Sequence, residues 1–237
     1  MSDTVTRPGK AKVGFYFDAV AGAADSVLAM LRALPERYAA DLPAGVAYRV
    51  ATRVTDMPLL PHQQVMANSP KPFDFAYQLS ADDADALGAM EGAAVALGEA
   101  LGALVDVGNA LVFVGREIAI TSGDGPIYNI MPLRRIPALT HAEFMHHWYD
   151  RHATLGEGVE GVRYRQNHVD DAATSALAER MGLSFEPLDG LTESYFDSVD
   201  AAVAILSQED VAVGAIEDER RFIHHDRSQF AIYETLA

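Results

Sequence analysis

The stretch Gly125–Asp170 reads GPIYNIMPLRRIPALTHAEFMHHWYDRHATLGEGVEGVRYRQNHVD, and it decides the fold. Apolar residues alternate over Ile127–Leu133, which predicts a strand. Beyond a proline turn, three residues recur at helical spacing: Phe144, Trp148 and His152. A glycine-punctuated connection then leads to a second predicted strand over residues 162–169. Because this segment holds five of the eight histidines and the only tryptophan, we expect it to carry function.

The same order of elements occurs on both sides of a Thr-Ser-Gly-Asp-Gly-Pro linker at residues 121–126. Alternating stretches predict strands at residues 12–18, 45–56, 73–79, 110–120, 127–133, 162–169, 191–196 and 229–234. Helical periodicity predicts helices at residues 26–38, 80–104, 140–151 and 198–208. We expect Pro35 to kink or end the first helix, a loop at residues 57–72 to hold His62, and a short helical patch at 172–182. Each half therefore follows β-α-β-β-α-β, the ferredoxin-like order.

Two local matches indicate that the halves arose by duplication. Gly45-Val-Ala-Tyr-Arg lines up with Gly161-Val-Arg-Tyr-Arg, and residues 75–84 resemble residues 192–201. Helices cover only one face of a ferredoxin-like sheet, so an apolar open face must pack on another sheet. We therefore predict an α+β fold in which two tandem ferredoxin-like units form an intramolecular dimeric α+β barrel, with a cavity between the sheets. The predicted parts are a disordered N-terminus at 1–11, a degenerate repeat at 12–122 and a second repeat at 126–237.

Composition argues against several classes of partner. The net charge is −16, from 34 acidic and 18 basic residues, which disfavours nucleic acid and anionic membrane surfaces. The chain has no cysteine, so disulfides, thiolate nucleophiles and cysteine-bound metals are excluded. The first residues lack an apolar signal segment, and no uninterrupted apolar run reaches the ~18 residues of a membrane span. We expect a cytoplasmic protein that acts on a small molecule. Whether it forms a homodimer is left open at this point.

The sequence carries no signature of a cofactor or a metal. No G-x-G-x-x-G follows a predicted strand, and no Walker A, H-E-x-x-H or G-x-S-x-G run occurs. His146 and His147 are adjacent and point to different sides of a helix, while His224-His225-Asp226 is expected in a solvated loop. We therefore predict chemistry that needs neither a cofactor nor a metal.

The second half combines several features in a specific way. A strand ends in basic residues, a proline turn follows, and a helix carries Phe, Trp and a terminal His: Arg134, Arg135, Pro137, Phe144, Trp148, His152 and Leu155. This combination resembles the EthD family of dimeric α+β barrel proteins, whose second and third strand segments are similar to Tyr164–Val169 and Asp189–Ser198. The resemblance covers roughly residues 125–237, whereas the first half lacks the Trp and the His. It implies a barrel and, by analogy, cofactor-independent cyclase, dehydratase, decarboxylase or monooxygenase chemistry on aromatic or polyketide-like compounds.

The alternation of side chains along the strands predicts the site. Phe196 precedes a helix and is expected to pack beneath it, which places Glu193 and Tyr195 on the opposite, cavity-facing side. We place His168 on that side as well. A carboxylate can orient a histidine that titrates near neutral pH, and a buried tyrosine can donate to a developing oxyanion. The predicted catalytic residues are His168, His152, Glu193 and Tyr195, and the predicted substrate-binding residues are Tyr164, Gln166, Tyr128, Asn129, Trp148 and Asn167.

Each of these residues also has a structural interpretation. Trp148 and Phe144 suit the core beneath their helix, and His152 can cap the carbonyl groups at its end. Arg165, by contrast, stands where the family tends to have an apolar residue.

Three functional hypotheses follow. The first is a cofactor-independent lyase of the decarboxylase, dehydratase or C–C-cleaving type, taking part in aromatic compound catabolism. The second is a cofactorless monooxygenase on a phenolic substrate, which would stop without O2. The third is a non-catalytic protein that binds a hydrophobic pathway intermediate. For the first, His168→Ala and Glu193→Ala should each lower turnover by at least ~10²-fold.

Overall fold

The computed structural model describes residues 7–38, 42–184 and 186–236, in which eight antiparallel strands close into one barrel. The strands are β1 Gly9–Ala19, β2 Val46–Arg53, β3 Phe75–Ala81, β4 Val105–Ala119, β5 Ile127–Leu133, β6 Arg163–Val169, β7 Gly190–Phe196 and β8 Ala231–Thr235. Their order around the barrel is β1-β3-β2-β8-β5-β7-β6-β4, and β4 pairs again with β1. Each half contributes four neighbouring strands, and the halves meet where β2 pairs with β8 and β4 with β6. The predicted α+β barrel is confirmed at this level.

Helices connect the strands and pack on the outside of the barrel. They are α1 Ala24–Tyr38, α2 Pro61–Val65, α3 Leu87–Leu101, α4 His141–His147, α5 Ala153–Glu157, α6 Asp171–Arg180, α7 Val199–Leu206 and α8 Glu209–Glu219. A π-helical turn, Trp148–His152, joins α4 to α5 without a break. Side-chain caps fix several helix starts, as at Ser198, whose hydroxyl accepts from the Ala201 N–H at 3.1 Å.

Four predictions about local structure are wrong in detail. Helix α1 runs through Pro35, because the burial of Val27, Leu31 and Leu34 against the sheet outweighs one lost hydrogen bond. Strand β1 begins at Gly9, so the predicted disordered segment is too long, and its residues 1–6 lie outside the described residues. The predicted loop at 57–72 contains helix α2, which a proline in its first turn favours. The helix predicted at 140–151 extends as α5 to residue 157.

The buried residues form three separate cores. One lies between the outer face of the first-half strands and helices α1, α3 and α6. A second lies between the outer face of the second-half strands and their helices, and it contains Phe144, Trp148, Phe196 and Phe222. The third fills the barrel itself with large side chains: Tyr16, Phe113, Tyr128, Leu191, Tyr195 and Tyr233. Among the described residues, therefore, the predicted cavity between the two sheets is a packed core instead.

The helical stretch Ala84–Leu104 is long and apolar enough, by length and composition, to cross a membrane. This finding qualifies the expectation that no membrane-spanning segment exists. In the fold, α3 lies on strands β1, β3 and β4 of the barrel. Its stripe Met90, Ala94, Leu97 and Leu101 is buried there, as the 3,4 spacing predicted.

Candidate active site

A cavity of about 670 Å³ lies between the outer face of the second-half strands and helices α5, α7 and α8. Polar residues from strands β5, β6 and β7 line one side, and polar residues from helical segments and a connecting turn, three of them acidic, line the other. They include Asn129, Tyr164, Thr192, Ser194, His62, His152, Glu160, Asp210 and Glu219. Apolar side chains such as Met131, Val162, Leu206 and Phe230 complete the walls. Pockets for small organic ligands typically have ~300–1,000 Å³, mostly apolar walls and a few placed polar groups. This cavity fits that description.

The helix that carries His152 is anchored and then distorted. Thr140 and Glu143 form a capping box at its start, in which each side chain accepts a hydrogen bond from the other residue's backbone N–H. Seven residues later the helix widens into the π turn, where the Ala153 N–H reaches the carbonyl of Trp148, five residues back. Such π turns occur frequently at functional sites. Here the turn ends at His152, on the cavity wall.

Asp218, near the end of α8, holds two imidazoles. Its carboxylate lies 2.9 Å from Nδ1 of His152 and 3.0 Å from Nε2 of His147. The hydrogen bond from His152, assisted by that from His147, lowers the pKa of Asp218 to about 2, despite its partial burial. An ionised carboxylate only accepts, so Nδ1 of His152 carries the proton. Nε2 of His152 has no hydrogen-bond partner among the described residues, the arrangement that suits a general base.

Glu219, the next residue, holds a second pair of imidazoles. Its carboxylate is buried and lies 3.2 Å from Nε2 of His62 and 3.0 Å from Nε2 of His225. Burial favours the neutral acid, but the two imidazoles outweigh it and hold the pKa of Glu219 well below its usual value. His62 also stacks on Phe230, with ring centroids 5.1 Å apart. Since His62 belongs to α2, the first half supplies part of a cavity wall that otherwise comes from the second half.

Asn129 lies on the strand side of the cavity, on β5. Its Oδ1 accepts the backbone N–H of Ser194 at 2.5 Å. Because a backbone N–H can only donate, this bond fixes which end of the amide is oxygen. The Nδ2 group has no hydrogen-bond partner among the described residues and is not sealed from the cavity that Asn129 lines.

Tyr164 is buried in a polar cluster at the edge of the cavity. Its hydroxyl accepts from Nε1 of Trp148 and from Nε2 of Gln166, each at 3.0 Å. Burial raises the pKa of Tyr164 to about 12. Trp148 is completely buried, and it packs so closely on Gly190 that a Cβ there would lie 2.3 Å from the indole ring. Trp148 and Gln166 therefore position Tyr164 rather than line the cavity.

His168 lies apart from the cavity-lining residues. Its ring packs against Trp148 and the edge of Tyr149, at 5.5 and 5.2 Å between centroids, and its Nε2 lies 3.3 Å from Oε1 of Gln166. Burial, reinforced by the positive charge of Arg116, lowers the pKa of His168 to about 4. The imidazole is thus held neutral over the physiological range.

Glu193 and Tyr195 face into the barrel, as predicted, but the space around them is filled. Glu193 is completely buried and lies 2.5 Å from Nζ of Lys12, which also contacts Glu117 at 2.7 Å. The Tyr195 hydroxyl donates to Glu193 at 2.6 Å. Tyr128 stacks on Tyr195 with centroids 5.0 Å apart, and Asn167 donates to the Leu191 carbonyl at 3.0 Å. These four predicted site residues belong to the barrel core.

The prediction that His168 shares a face with Glu193 is wrong. In the register of β6 and β7, Arg165 lies opposite Glu193 and Gln166 opposite Thr192. Arg165 therefore points into the barrel, where it contacts Glu117 at 3.2 Å and lies 4.2 Å from the centre of the Tyr195 ring. Tyr164, Gln166 and His168 occupy the other face, toward the helices. Of the ten predicted residues, the structure brings Asn129, His152 and Tyr164 together at the cavity.

Residues 136–226 match the EthD domain. The predicted resemblance of the second half is thereby confirmed, and the EthD domain includes His152, Asp218 and Glu219. No curated protein sequence matches the chain.

Solved structures match the chain over nearly its whole length. A putative monooxygenase from Lactobacillus acidophilus NCFM is 9% identical, with a TM-score of 0.55 over 97% of this chain and 95% of that one. An anthrone oxidase-like protein is 11% identical, with a TM-score of 0.54 over 96% of this chain and 91% of that one. A putative chlorite dismutase is 11% identical, with a TM-score of 0.53 over 96% and 94%. At such identities the likeness shows the fold alone, an α+β barrel.

Three residues of the site escaped the sequence reasoning: His62, Asp218 and Glu219. His62 was expected in a loop, and the sequence analysis assigned no role to Asp218 or Glu219. The available signal was the acidic pair itself, because neighbouring positions on a helix point ~100° apart and can serve two separate groups of histidines. Among the described residues, no group of three His, Asp or Glu side chains is placed to hold a metal ion.

Proposed function

We propose that the protein is an enzyme that moves a proton on a small, largely apolar compound bound in the cavity of the EthD domain. The observation that carries this proposal is His152 on the cavity wall, with Nδ1 held by the ionised Asp218. That hydrogen bond fixes the tautomer and leaves Nε2 to take a proton from the substrate. Proton transfer of this kind requires no cofactor.

A second imidazole helps to shape the cavity wall. Nε2 of His62 is held by Glu219 and its Nδ1 is buried, so His62 supports the wall while His152 remains the proposed proton acceptor. The aromatic and aliphatic parts of the wall favour an aromatic or hydrophobic substrate.

Within this class we retain a lyase that loses a small fragment or water after deprotonation. The second candidate is a cofactorless monooxygenase, because a phenolate formed by the same base could react with O2; proteins named as a putative monooxygenase and as anthrone oxidase-like share this fold. Both reactions start with the same step, because an electron-rich carbanion or phenolate precedes either bond cleavage or attack on O2. Turnover that stops under anaerobic conditions selects the monooxygenase.

We further propose that the two halves are duplicated ferredoxin-like units, at about 12–122 and 126–237, with the EthD domain in the second. The shared order of elements and the grouping of each half's strands in the barrel support this. The first half then acts as a partner for the second rather than as a second active site. A cytoplasmic location and a homodimer belong to the same proposal.

Comparison of His152→Gln with His168→Phe tests the function. A panel of bicyclic phenols and ketones is incubated with each protein, and products and oxygen uptake are followed by NMR and an oxygen electrode. His152→Gln should lower turnover by at least ~10²-fold, because the base is lost while a polar side chain remains. His168→Phe, which lies off the cavity and keeps its packing on Trp148, should retain near-normal turnover. Equal activity of His152→Gln and the unmodified protein would contradict the proposal.

A further inference from the structure

One polar group of the cavity has an unused hydrogen-bonding capacity in a fixed direction. Asn129 is only 4% exposed, so its amide has left bulk water. Its oxygen is committed to the Ser194 N–H, whereas its NH2 group has no partner among the described residues. Because this NH2 group is open to the cavity, water can satisfy it in the free protein and a ligand oxygen can replace that water. The amide is thus preorganised to donate into the cavity.

The backbone, not a flexible side chain, enforces this orientation. Asn129 and Ser194 are directly paired residues of the neighbouring strands β5 and β7. A flip of the amide would place NH2 against the Ser194 N–H, two donors facing each other. The donor is therefore held by the sheet, and it needs no rearrangement when charge develops on a bound ligand. Preorganised donors of this type stabilise oxyanions most effectively.

The complementary group on a substrate is an oxygen that accepts hydrogen bonds and gains negative charge. Resting on the proposed role of His152, we infer that Asn129 receives the carbonyl oxygen of a ketone substrate and stabilises the enolate or phenolate formed from it. In this step the C–H bond next to the carbonyl breaks and its proton goes to Nε2 of His152. The electron pair moves into the carbon–carbon bond, and the negative charge comes to lie on the oxygen at Nδ2 of Asn129.

The substrate class is accordingly a hydrophobic ketone with an acidic C–H beside its carbonyl group, or the phenol that is its tautomer. A charged carboxylate substrate is disfavoured, because the cavity wall includes Glu160, Asp210 and Glu219. A ketone enters the cavity uncharged, and its oxygen gains negative charge only after it lies next to the NH2 group of Asn129. The Asn129 donor therefore binds the transition state more strongly than the bound ketone, and such a difference in binding is what lowers the barrier of a reaction.

The test uses 2-naphthol, whose phenolate mimics an enolate, and 2-tetralone, the matching ketone. The variant Asn129→Asp keeps an oxygen for the Ser194 N–H but replaces the donor with an acceptor. The control His168→Phe changes a side chain that lies off the cavity and leaves Asn129 and Ser194 in place. Unfolding midpoints of all three proteins show that the variants are folded.

The first measurement is the absorbance pH titration of bound 2-naphthol. The unmodified protein and His168→Phe should lower the pKa of bound 2-naphthol, and Asn129→Asp should raise it and weaken naphtholate binding by at least about 10²-fold. In the unmodified protein, 2-naphthol should also shift the side-chain NH2 resonance of Asn129. An unchanged titration in Asn129→Asp overturns the inference. So does an unmodified protein that binds no 2-naphthol or shows no shift of that resonance.

The second measurement, hydrogen–deuterium exchange of 2-tetralone, separates this inference from the proposed function. If His152→Gln loses exchange and Asn129→Asp keeps full exchange, the inferred role of Asn129 is refuted while the proposed role of His152 stands. Full exchange in His152→Gln removes the proposed base, while the naphthol titration still decides whether Asn129 binds an oxyanion. Loss in both variants, with His168→Phe unaffected, supports the two together.

Discussion

The charged network inside the barrel makes Lys12 a sensitive residue for stability. Its ammonium group is buried between Glu193 at 2.5 Å and Glu117 at 2.7 Å, and Lys12 is only 2% exposed. Lys12→Met keeps most of the side-chain volume but leaves two carboxylates without their shared cation. Removal of one partner of a buried ion pair typically costs 3–5 kcal/mol, so we expect a loss of about 3 kcal/mol. The lower end applies because Tyr195 and Gln78 still donate to Glu193.

Lys10→Met is the matched control. Lys10 lies two residues away on the same strand and pairs with Asp82 at 3.3 Å, but both side chains are largely exposed. Such surface pairs contribute less than about 1 kcal/mol. The double variant Lys12→Met with Glu193→Gln removes one charge of each sign, and it should recover at least half of the lost stability.

The dependence on pH provides an independent check. Burial would raise the pKa of Glu117, but Lys12 and then Arg165 overcome this and lower it to about 2, from the ordinary 4.5. The stability that this carboxylate contributes is complete above about pH 4.5 and is lost as the pH falls toward 2. Lys12→Met removes the charge that stabilises the Glu117 carboxylate most. The difference in free energy of unfolding between the variant and the unmodified protein should therefore narrow as the pH falls from 4.5 toward 2.

Urea unfolding at pH 7 and at about pH 2.5, followed by the fluorescence of the single, buried Trp148, measures all four proteins. The reasoning is refuted if Lys12→Met stays within 1 kcal/mol of the unmodified protein, or if Lys10→Met costs as much, by the scale of exposed and buried pairs.

Two further predictions concern packing and a buried histidine. Gly190→Ala should lower the free energy of unfolding by about 1–3 kcal/mol, since its Cβ would lie 2.3 Å from the Trp148 ring. Gly92→Ala on α3, where nothing lies within 4 Å, should leave it unchanged or raise it by up to about 1 kcal/mol, and urea unfolding that shows equal effects would contradict this. His168 has a pKa of about 4 in the folded protein against 6.5 ordinarily, so the unfolded chain binds its proton first and stability falls as the pH drops from 6.5 to 4. His168→Phe should remove about 2–3 kcal/mol of that fall, and an unchanged slope of stability between pH 7 and pH 4 would count against the assignment.

Local patterns predicted the elements well where the information was local. Strand β5 has the predicted bounds, Ile127–Leu133, and Ser198 caps α7 as its side chain allows. Pro35 was expected to kink or end α1, but the helix continues to Tyr38. A helix on a barrel is stabilised mainly by burial of its apolar side, and the periodicity of that side was the better guide to its length than the single proline.

The faces of β6 were less predictable. The alternation of Arg163, Arg165 and Asn167 with Tyr164, Gln166 and His168 gives no apolar side, so the pattern cannot tell inside from outside. An arginine normally indicates the solvent side of a strand, yet Arg165 lies inside because Glu117 accompanies it there. That partner is on β4, 48 residues away, and only the pairing of strands reveals it.

The candidate site was the least predictable part. His62, His152 and Asp218 are far apart in sequence and belong to three separate helical segments. No spacing rule connects them, because their meeting depends on barrel closure and on the path of the first half's α2. His152 was found from the family pattern and Asn129 from its strand, whereas Asp218 and Glu219 required the structure.

The π turn at Trp148–His152 determines whether two histidines can share one carboxylate. His147 and His152 are five residues apart, which on a regular helix puts them on different sides, about 140° apart. The wider turn lets both reach the carboxylate of Asp218. A lineage that lost one residue here would keep a smooth helix and the same barrel, but would leave one histidine without its acid. If His152 has the proposed role, proteins with this fold and a regular helix at this place should lack that proton transfer.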